Sequence, residues 1–584
     1  MDIFNVLTLF GGLALFLFGM SVMGDGLEKS AGSKLKTILE RLTSSPLKGF
    51  LLGVAVTAVI QSSSATTVMV VGFVNSGIMS LRQAIGIIMG ANVGTTVTSW
   101  ILSLSGIQGD SLFIRLLKPS SFSPILAIIG IFLYMFVKSS KKKDIGSILL
   151  GFAILMFGME TMSDAVAPLK DVPQFTHILL LFSNPFLGVL AGAALTAIIQ
   201  SSSASVGILQ ALSATGSITF GSAIPIILGQ NIGTCATAML SSIGTNKNAR
   251  RTAIVHLYFN IIGTVLFLVL FYACNAIFQF QFVHSSINQL GIAIVHTCFN
   301  LLATGVMLPF AGVLERLACA TVKDTETAPS NEFSLLDTRL MVTPPVAIEQ
   351  CRKLAVKMAE KSENAMDRAL TLIQNFDQET YDYVKETEAQ IDVYEDRIGS
   401  YLVELSSHSL SQADSREVSR LLHSIGDFER ISDHAVDVAD AAKEMVDKEL
   451  RFSDGAYAEL KIICSAVRKV LNLSIQSFTT NNIMLAEQVE PLEQVVDHLR
   501  STIKNRHIAR LQTGNCTIEL GFVFSDLLTS FERASDHCSN IAACMIELQH
   551  GSYDTHEYLS RLKSGQDAEF VDRYNEYLKE YALP

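Results

Sequence analysis

The chain has 584 residues, 49% of them hydrophobic and 17% charged, with a formal net charge of −11. That charge is unevenly spread: residues 1–320 hold 17 Lys and Arg against 10 Asp and Glu, and the remainder holds 27 against 45. One uniform soluble fold is excluded, and the division reads as a membrane domain followed by an acidic soluble domain. The nine cysteines include no CxxC pair, and five lie beyond residue 320, so they read as reduced thiols and not as a disulfide framework.

In chain order, the expected spans are 3–24, 83–103, 123–137, 145–162, 222–242, 252–274 and 289–314. The first belongs to a repeat and is expected to be retained, not cleaved as a leader. Segments 47–79 and 186–216 differ from these. Each holds two short apolar runs around a polar break, too short singly and too long together for one crossing of roughly 20 residues. They read as re-entrant hairpins of two half-helices. Polar tips of that kind survive in a membrane where they line a cavity or bind something. A seam of small residues for close helix packing would explain the serines, though not the repeated Gln and Asn.

The breaks are copies of one another. Thr57-Ala58-Val59-Ile60-Gln61-Ser62-Ser63-Ser64-Ala65 returns 139 residues later as Thr196-Ala197-Ile198-Ile199-Gln200-Ser201-Ser202-Ser203-Ala204. The same offset carries Phe18-Gly19-Met20 onto Phe157-Gly158-Met159, Asp25 onto Asp164, and Pro46 onto Pro185. It also carries Gly90-Ala91-Asn92-Val93-Gly94-Thr95 onto Gly229-Gln230-Asn231-Ile232-Gly233-Thr234. This is an internal duplication, with repeat one near 1–138, repeat two near 140–275, and an extra helix at 289–318.

Basic residues set the expected sidedness. Lys29, Lys34, Lys36, Arg41 and Lys48, then Arg82, Lys138 and Lys141-Lys142-Lys143, then Lys247, Arg250 and Arg251 alternate with loops holding only Arg115, Lys118 and Lys170. The N-terminus is then outside, the C-terminal domain cytoplasmic, and the location the cell (inner) membrane. Three crossings separate the repeats, so the second is inverted and the two tips approach near the midplane. Ser hydroxyls and Gln carboxamides can hold an oxyanion and coordinate a hard cation, and half-helix N-termini add N–H donors. The candidate binding residues are Gln61, Ser62, Ser63, Ser64, Asn92, Thr95, Gln200, Ser201, Ser202, Ser203, Asn231 and Thr234. No acid or base sits at mid-depth in a span, which disfavours a carboxylate proton relay. His256 and His296, each paired with an Asn four residues on, read as contacts to substrate or as neutral histidines bonded between helices, the second being favoured.

The paired Gln-Ser-Ser-Ser stretches, each followed by Gly-x-Asn-x-Gly-Thr, resemble the type II sodium–phosphate cotransporter family over essentially all of 1–318. The resemblance implies coupled movement of inorganic phosphate and Na⁺, with both tips in the pathway. Members that move net charge resemble this chain at Val255-His256 but carry an acid where Leu257 stands, so ion count and electrogenicity are open.

A polar linker at 319–345 without helical periodicity ends at Pro344-Pro345. From 346 to about 550 the pattern is helical and duplicated: Phe428-Glu429-Arg430-Ile431-Ser432-Asp433-His434 answers Phe531-Glu532-Arg533-Ala534-Ser535-Asp536-His537. Two three-helix repeats are expected, with a tail at 551–584. Acids four apart share helix faces: Glu388 and Asp392, Glu429 and Asp433, Glu493 and Asp497, Glu532 and Asp536. They read equally as divalent-metal ligands or as a solvated charged face. The segment is similar to the PhoU domain, a regulator of bacterial phosphate uptake, whose Glu-x-x-x-Asp pairs are associated with metal clusters.

The expected fold is therefore all-α: a polytopic membrane transporter with inverted repeats and two re-entrant hairpins, then a cytoplasmic helical bundle. No catalytic triad or nucleotide loop appears, so no enzyme is expected, and nucleic acid is not an expected partner. Two functions stand: a Na⁺-coupled phosphate transporter with a regulatory domain, or a phosphate sensor signalling through that domain. Partners are the bilayer, phosphate, sodium and a regulatory protein, with import or export and a homo-oligomer left open.

Overall fold

The computed structural model describes residues 3–41, 46–107, 118–172, 174, 179, 181–323, 332–408, 410–514, 516–550 and 568–584. Arg115 and the linker residues 324–331 lie outside them, as do the side chains of 31–41. The chain divides into two units, Met1–Val346 and Ala347–Pro584.

The first unit opens with α1 (Ile3–Arg41), α2 (Pro46–Ile60), α3 (Ser63–Asn75), α4 (Leu81–Ser103) and α5 (Pro119–Phe136). The order then returns with α6 (Ser140–Val166), α7 (Pro185–Ile199), α8 (Ser202–Ser213), α9 (Phe220–Gly233), α10 (Cys235–Ser241) and α11 (Lys247–Phe278). Here α9 and α10, separated only by Thr234, stand where the first copy has the single α4, and together they form one apolar stretch, Phe220–Ser241, as expected. The unit's last helices are α12 (Gln289–Met307) and α13 (Ala311–Thr321). Among the described residues, seven helical stretches are long and apolar enough to cross a membrane, matching the seven expected positions. The pairs α2–α3 and α7–α8 hold 15, 13, 15 and 12 residues. At about 1.5 Å per residue, each half falls short of a hydrocarbon core about 30 Å thick.

The two copies meet along α1 and α6, and their contact is built from equivalent glycines. A Cβ on Gly19 would stand 2.3 Å from the Leu155 backbone nitrogen, and one on Gly158 would stand 2.4 Å from that of Phe16. No side chain fits at either, so the backbones touch. Each hairpin is held in the same way. A Cβ on Gly53 would meet the Ile87 carbonyl of α4 at 2.1 Å, and its counterpart on Gly192 would meet the Ile226 carbonyl of α9 at 2.1 Å.

The segment read as an aperiodic linker is ordered where it is described. α13 continues to Thr321, and two 3₁₀ turns follow at Glu332–Leu335 and Thr338–Val342. Leu340 and Met341 are buried, and Gly72 of α3 leaves space for Leu340. The Asp337 carboxylate accepts from Asn75 Nδ2 at 2.6 Å and pairs with Arg339, which also donates to the Ser241 carbonyl at 2.6 Å. Asn75 Oδ1 accepts from the Asn246 N–H at 2.8 Å. This strap escapes a period-based reading because two adjacent apolar residues and one ion pair anchor it, not a helical stripe.

The second unit begins within α14 (Pro344–Leu372) and continues through α15 (Gln378–Ser406) and α16 (Gln412–Asp447). Then come α17 (Asp454–Thr480), the one-turn α18 (Ile483–Ala486), α19 (Val489–Gln512) and α20 (Ile518–His550). Two three-helix layers result, joined in the core by Phe428 against Phe478, with centroids 4.9 Å apart. In the tail, α21 (Ala568–Glu580) packs on α19, where Arg506 donates to the Pro584 carbonyl at 2.9 Å.

Candidate functional site at the paired tips

Each hairpin turns on the same local chemistry. Gln61 and Gln200 end their helices in the left-handed conformation, at φ 59° and 57°. Outside glycine this conformation is uncommon. Their backbone N–H groups bond to Thr57 and Thr196 at 2.8 and 2.7 Å. Ser62 and Ser201 then cap α3 and α8, each hydroxyl accepting from the backbone N–H three residues on at 3.2 Å. The first N–H groups of both half-helices, beside Ser63 and Ser64 and beside Ser202 and Ser203, lack intrahelical acceptors and carry the positive end of the helix dipole.

These two N-termini face one another. Ser63 Oγ and Ser202 Oγ lie 3.4 Å apart, although 139 residues separate them. A cavity of about 360 Å³ surrounds the contact, lined by Gln61 to Ser64 and by Gln200 to Ser203. All eight tip residues singled out by sequence are thus gathered at one place. Asn92, Thr95, Asn231 and Thr234 do not line it. They are buried, with their side-chain donors returned to the carbonyls of Ile88, Ala91, Ile227 and Gln230 at 2.9–3.0 Å. They brace the helices behind the tips.

Sequence reading left out the cavity's acidic wall. Ser21, Asp25 and Glu28 of α1 line it, with Val342 of the strap. Their spacing of four and three residues puts one polar face on an otherwise apolar helix, a signal present in the sequence. The cavity therefore joins two kinds of chemistry: N–H groups and hydroxyls for an anion, and carboxylates with carboxamide oxygens for a cation. His256 and His296 are buried and stand outside it. His296 Nδ1 shares a hydrogen bond with Ser99 Oγ of α4 at 2.7 Å.

In the second unit, Glu388, Asp392 and Asp433 bring one carboxylate oxygen each within 4.8 Å of the others, as do Glu493, Asp497 and Asp536. Arginines stand beside these acids: Glu429 approaches Arg430 at 3.4 Å and Glu532 pairs with Arg500 at 3.0 Å, while within the clusters Asp433 pairs with Arg430 at 3.2 Å and Asp536 with Arg533 at 3.7 Å. Burial, then the charges of Asp392 and Asp433, hold Glu388 above the usual carboxylate range. Burial, then Asp433, does the same for Glu429. Burial also raises Glu532, with Arg500 opposing. Such mutually repelling carboxylates fit a divalent cation, which would relieve the repulsion.

The comparisons agree with this division. The family model described as Na+/Pi-cotransporter matches residues 15–164 and 171–307, and that of the PhoU domain matches 355–442 and 460–545. "Putative inorganic phosphate export protein YjbB" of Escherichia coli (strain K12) is 25% identical, over 93% of this chain and 98% of its own length. "Uncharacterized protein YqeW" of Bacillus subtilis is 33% identical over 53% of this chain and 97% of its own. Human "Sodium-dependent phosphate transport protein 2B" is 34% identical over 19% of this chain and 16% of its own. The crystal structure of PhoU from Pseudomonas aeruginosa aligns at TM-score 0.34 and 25% identity, over 35% of this chain and 97% of that one. With its duplicated hairpins, seven apolar spans and matches across both units, the chain belongs to the Na+/Pi-cotransporter family, with a PhoU domain following the transport domain.

Proposed function

We propose that this protein moves inorganic phosphate with Na⁺ across the cytoplasmic membrane by alternating access, binding both at the paired tips. The observation that carries the reading is the Ser63–Ser202 contact, which makes one cavity out of two inverted copies. Phosphate sits against the facing helix N-termini and Ser hydroxyls. Na⁺ takes oxygen ligands among the Gln carboxamides, Asp25 and Glu28. Coupling follows from charge: Asp25 and Glu28 repel an unaccompanied anion, so cation occupancy favours phosphate, and linkage makes the effect mutual. The names of the curated relatives, which speak of phosphate export and of sodium-dependent phosphate transport, support the substrate and the ion.

The basic loops support a reading in which the N-terminus lies outside and the second unit lies in the cytoplasm, there to regulate transport and to hold divalent metal on its acid clusters. The test is radiolabelled phosphate flux in proteoliposomes, with a Na⁺ gradient and with K⁺ in its place. Flux driven by the Na⁺ gradient is expected. Phosphate binding without flux would overturn transport in favour of a receptor.

A further inference from the structure

The duplication allows each polar contact in one hairpin to be compared with its counterpart 139 residues on. In the first copy two bonds between side chains hold the tip, beside the donation of Gln61 Nε2 to the Ala58 carbonyl and of Thr66 Oγ1 to the Ser62 carbonyl. Gln61 Oε1 accepts from Thr98 Oγ1 of α4 at 3.0 Å, and Thr57 Oγ1 donates to Thr66 Oγ1 at 3.0 Å, joining α2 to α3. Their counterparts are Gln200 with Thr237, and Thr196 with Ser205. The residue types needed for both bonds are present, but neither bond is formed. Thr237 Oγ1, Thr196 Oγ1 and Ser205 Oγ are buried and have no hydrogen-bond partner in the protein. Gln61 is 6% exposed, whereas Gln200 is exposed to the cavity. The backbones do not explain this, because both glutamines and both capping serines have matching dihedrals.

A buried hydroxyl without a partner is costly, and the second copy carries these three, two in its hairpin and Thr237 on α10, against Ser64 Oγ alone in the first hairpin. We propose that Gln61–Thr98 and Gln200–Thr237 are alternative latches, one closed in each access state, and that Thr98 and Thr237 are positioning residues for the transport cycle. In the state seen here tip one is latched and tip two released. In the other state Gln200 turns onto Thr237, Thr196 meets Ser205, and Gln61 leaves Thr98. The orphaned hydroxyls are those that the second state satisfies. This inference rests on the transport reading and adds the device that selects between its states.

The test uses the full-length protein with a cysteine at Ser21, an exposed residue of the cavity wall, its thiol labelling followed by peptide mass spectrometry so that native cysteines do not interfere. Thr98→Val removes the latch closed here and should slow labelling. Thr237→Val removes the opposite latch and should keep labelling at or above the wild-type rate. Labelling in Thr237→Val should exceed that in Thr98→Val by about three- to ten-fold, the weight of one hydrogen bond. Thr98→Ser and Thr237→Ser should restore wild-type rates, which a purely packing role would not predict. Equal rates in the two valine variants, or the reverse order, overturn the latch. Should Thr98→Val not fold, Thr237→Val decides alone: its hydroxyl has no partner here, so the variant should fold, label as wild type and carry slower phosphate flux. Wild-type flux in that folded variant also overturns the proposal. A wild-type protein without Na⁺-driven flux sinks the transport reading instead, while the labelling order stands by itself.

Discussion

Ser63 and Ser202 occupy equivalent positions in two copies of one sequence, and their hydroxyl oxygens lie 3.4 Å apart. Residues related by a local two-fold axis touch only on that axis, so the contact marks where the copies' symmetry runs through the cavity. Both half-helices begin at this point, and their dipoles converge on it. Two aligned N-termini repel one another unless an anion or polar group stands between them. The fold's own electrostatics therefore favour an anion at this point.

The contact predicts a cross-link. With Ser63→Cys and Ser202→Cys together, mild oxidation should join the tips and stop phosphate flux, and reductant should restore it. Either cysteine alone should respond little to the same oxidant. Failure of the pair to join, read by mass spectrometry of the linked peptides, would place the tips further apart than described.

The strap gives a second prediction. Asp337 is buried and holds both Asn75 and Arg339. Asp337→Ala leaves those donors facing a lost acceptor, at a cost of about 1–3 kcal/mol. Proteolysis within 332–343 should accelerate while the helices of the first unit stay intact. An unchanged cleavage rate would mean that Leu340 and Met341 hold the strap without the ion pair. A truncation meant to isolate the transport unit should end near residue 346, since one ending at 320 loses Val342 from the cavity wall.

Much of this arrangement was legible in the sequence. The offset of 139 residues exposed the duplication, and a Gln-Ser-Ser-Ser break between runs too short to span exposed the hairpins. The polar face of Ser21, Asp25 and Glu28 was equally readable but lay close to the end of its span. The strap left no period to find. The difference between Gln61 and Gln200 could not be read at all, because identical residues in identical local backbones differ only in the state of the whole unit. Asn92, Thr95, Asn231 and Thr234 repeat as faithfully as the tips, yet they face their own helices, and repetition alone does not tell bracing from lining.

Acid clusters in the second unit predict a pH dependence. Burial and neighbouring carboxylates raise Glu388 and Glu429, so each holds its proton at a higher pH than an ordinary carboxylate. Where the folded pKa exceeds the unfolded one, the metal-free fold binds the extra proton, and its stability rises as pH falls through the folded pKa. Divalent cation should bind where the carboxylates are ionised, raising the melting temperature at neutral pH and progressively less under acid, where protons compete. Glu388→Gln with Asp433→Asn should weaken both effects and lower the bound metal, the second cluster remaining, as followed by calorimetry and metal analysis. Equal metal content in that variant would favour a solvated acidic face.

Sidedness is tested by labelling in intact cells. A cysteine at Ile107 should react with an impermeant thiol reagent, and one at Lys142 should react only after the membrane is opened. The reverse pattern would turn the basic loops outward and contradict the proposed orientation.

The central claim is that both tips serve one Na⁺-coupled phosphate site, and the most direct measurement is Na⁺-driven phosphate flux in Gln61→Ala and Gln200→Ala. Losing a hydrogen bond to a charged ligand costs about 1.5–3 kcal/mol, roughly ten- to a hundred-fold in affinity. Each folded variant should lose coupled flux by about that factor. If the lost carboxamide coordinated Na⁺, the Na⁺ requirement rises and phosphate affinity recovers at high Na⁺. If it donated to phosphate, the loss persists at saturating Na⁺. Wild-type dependence on both ligands in either folded variant would contradict a site shared by the two tips.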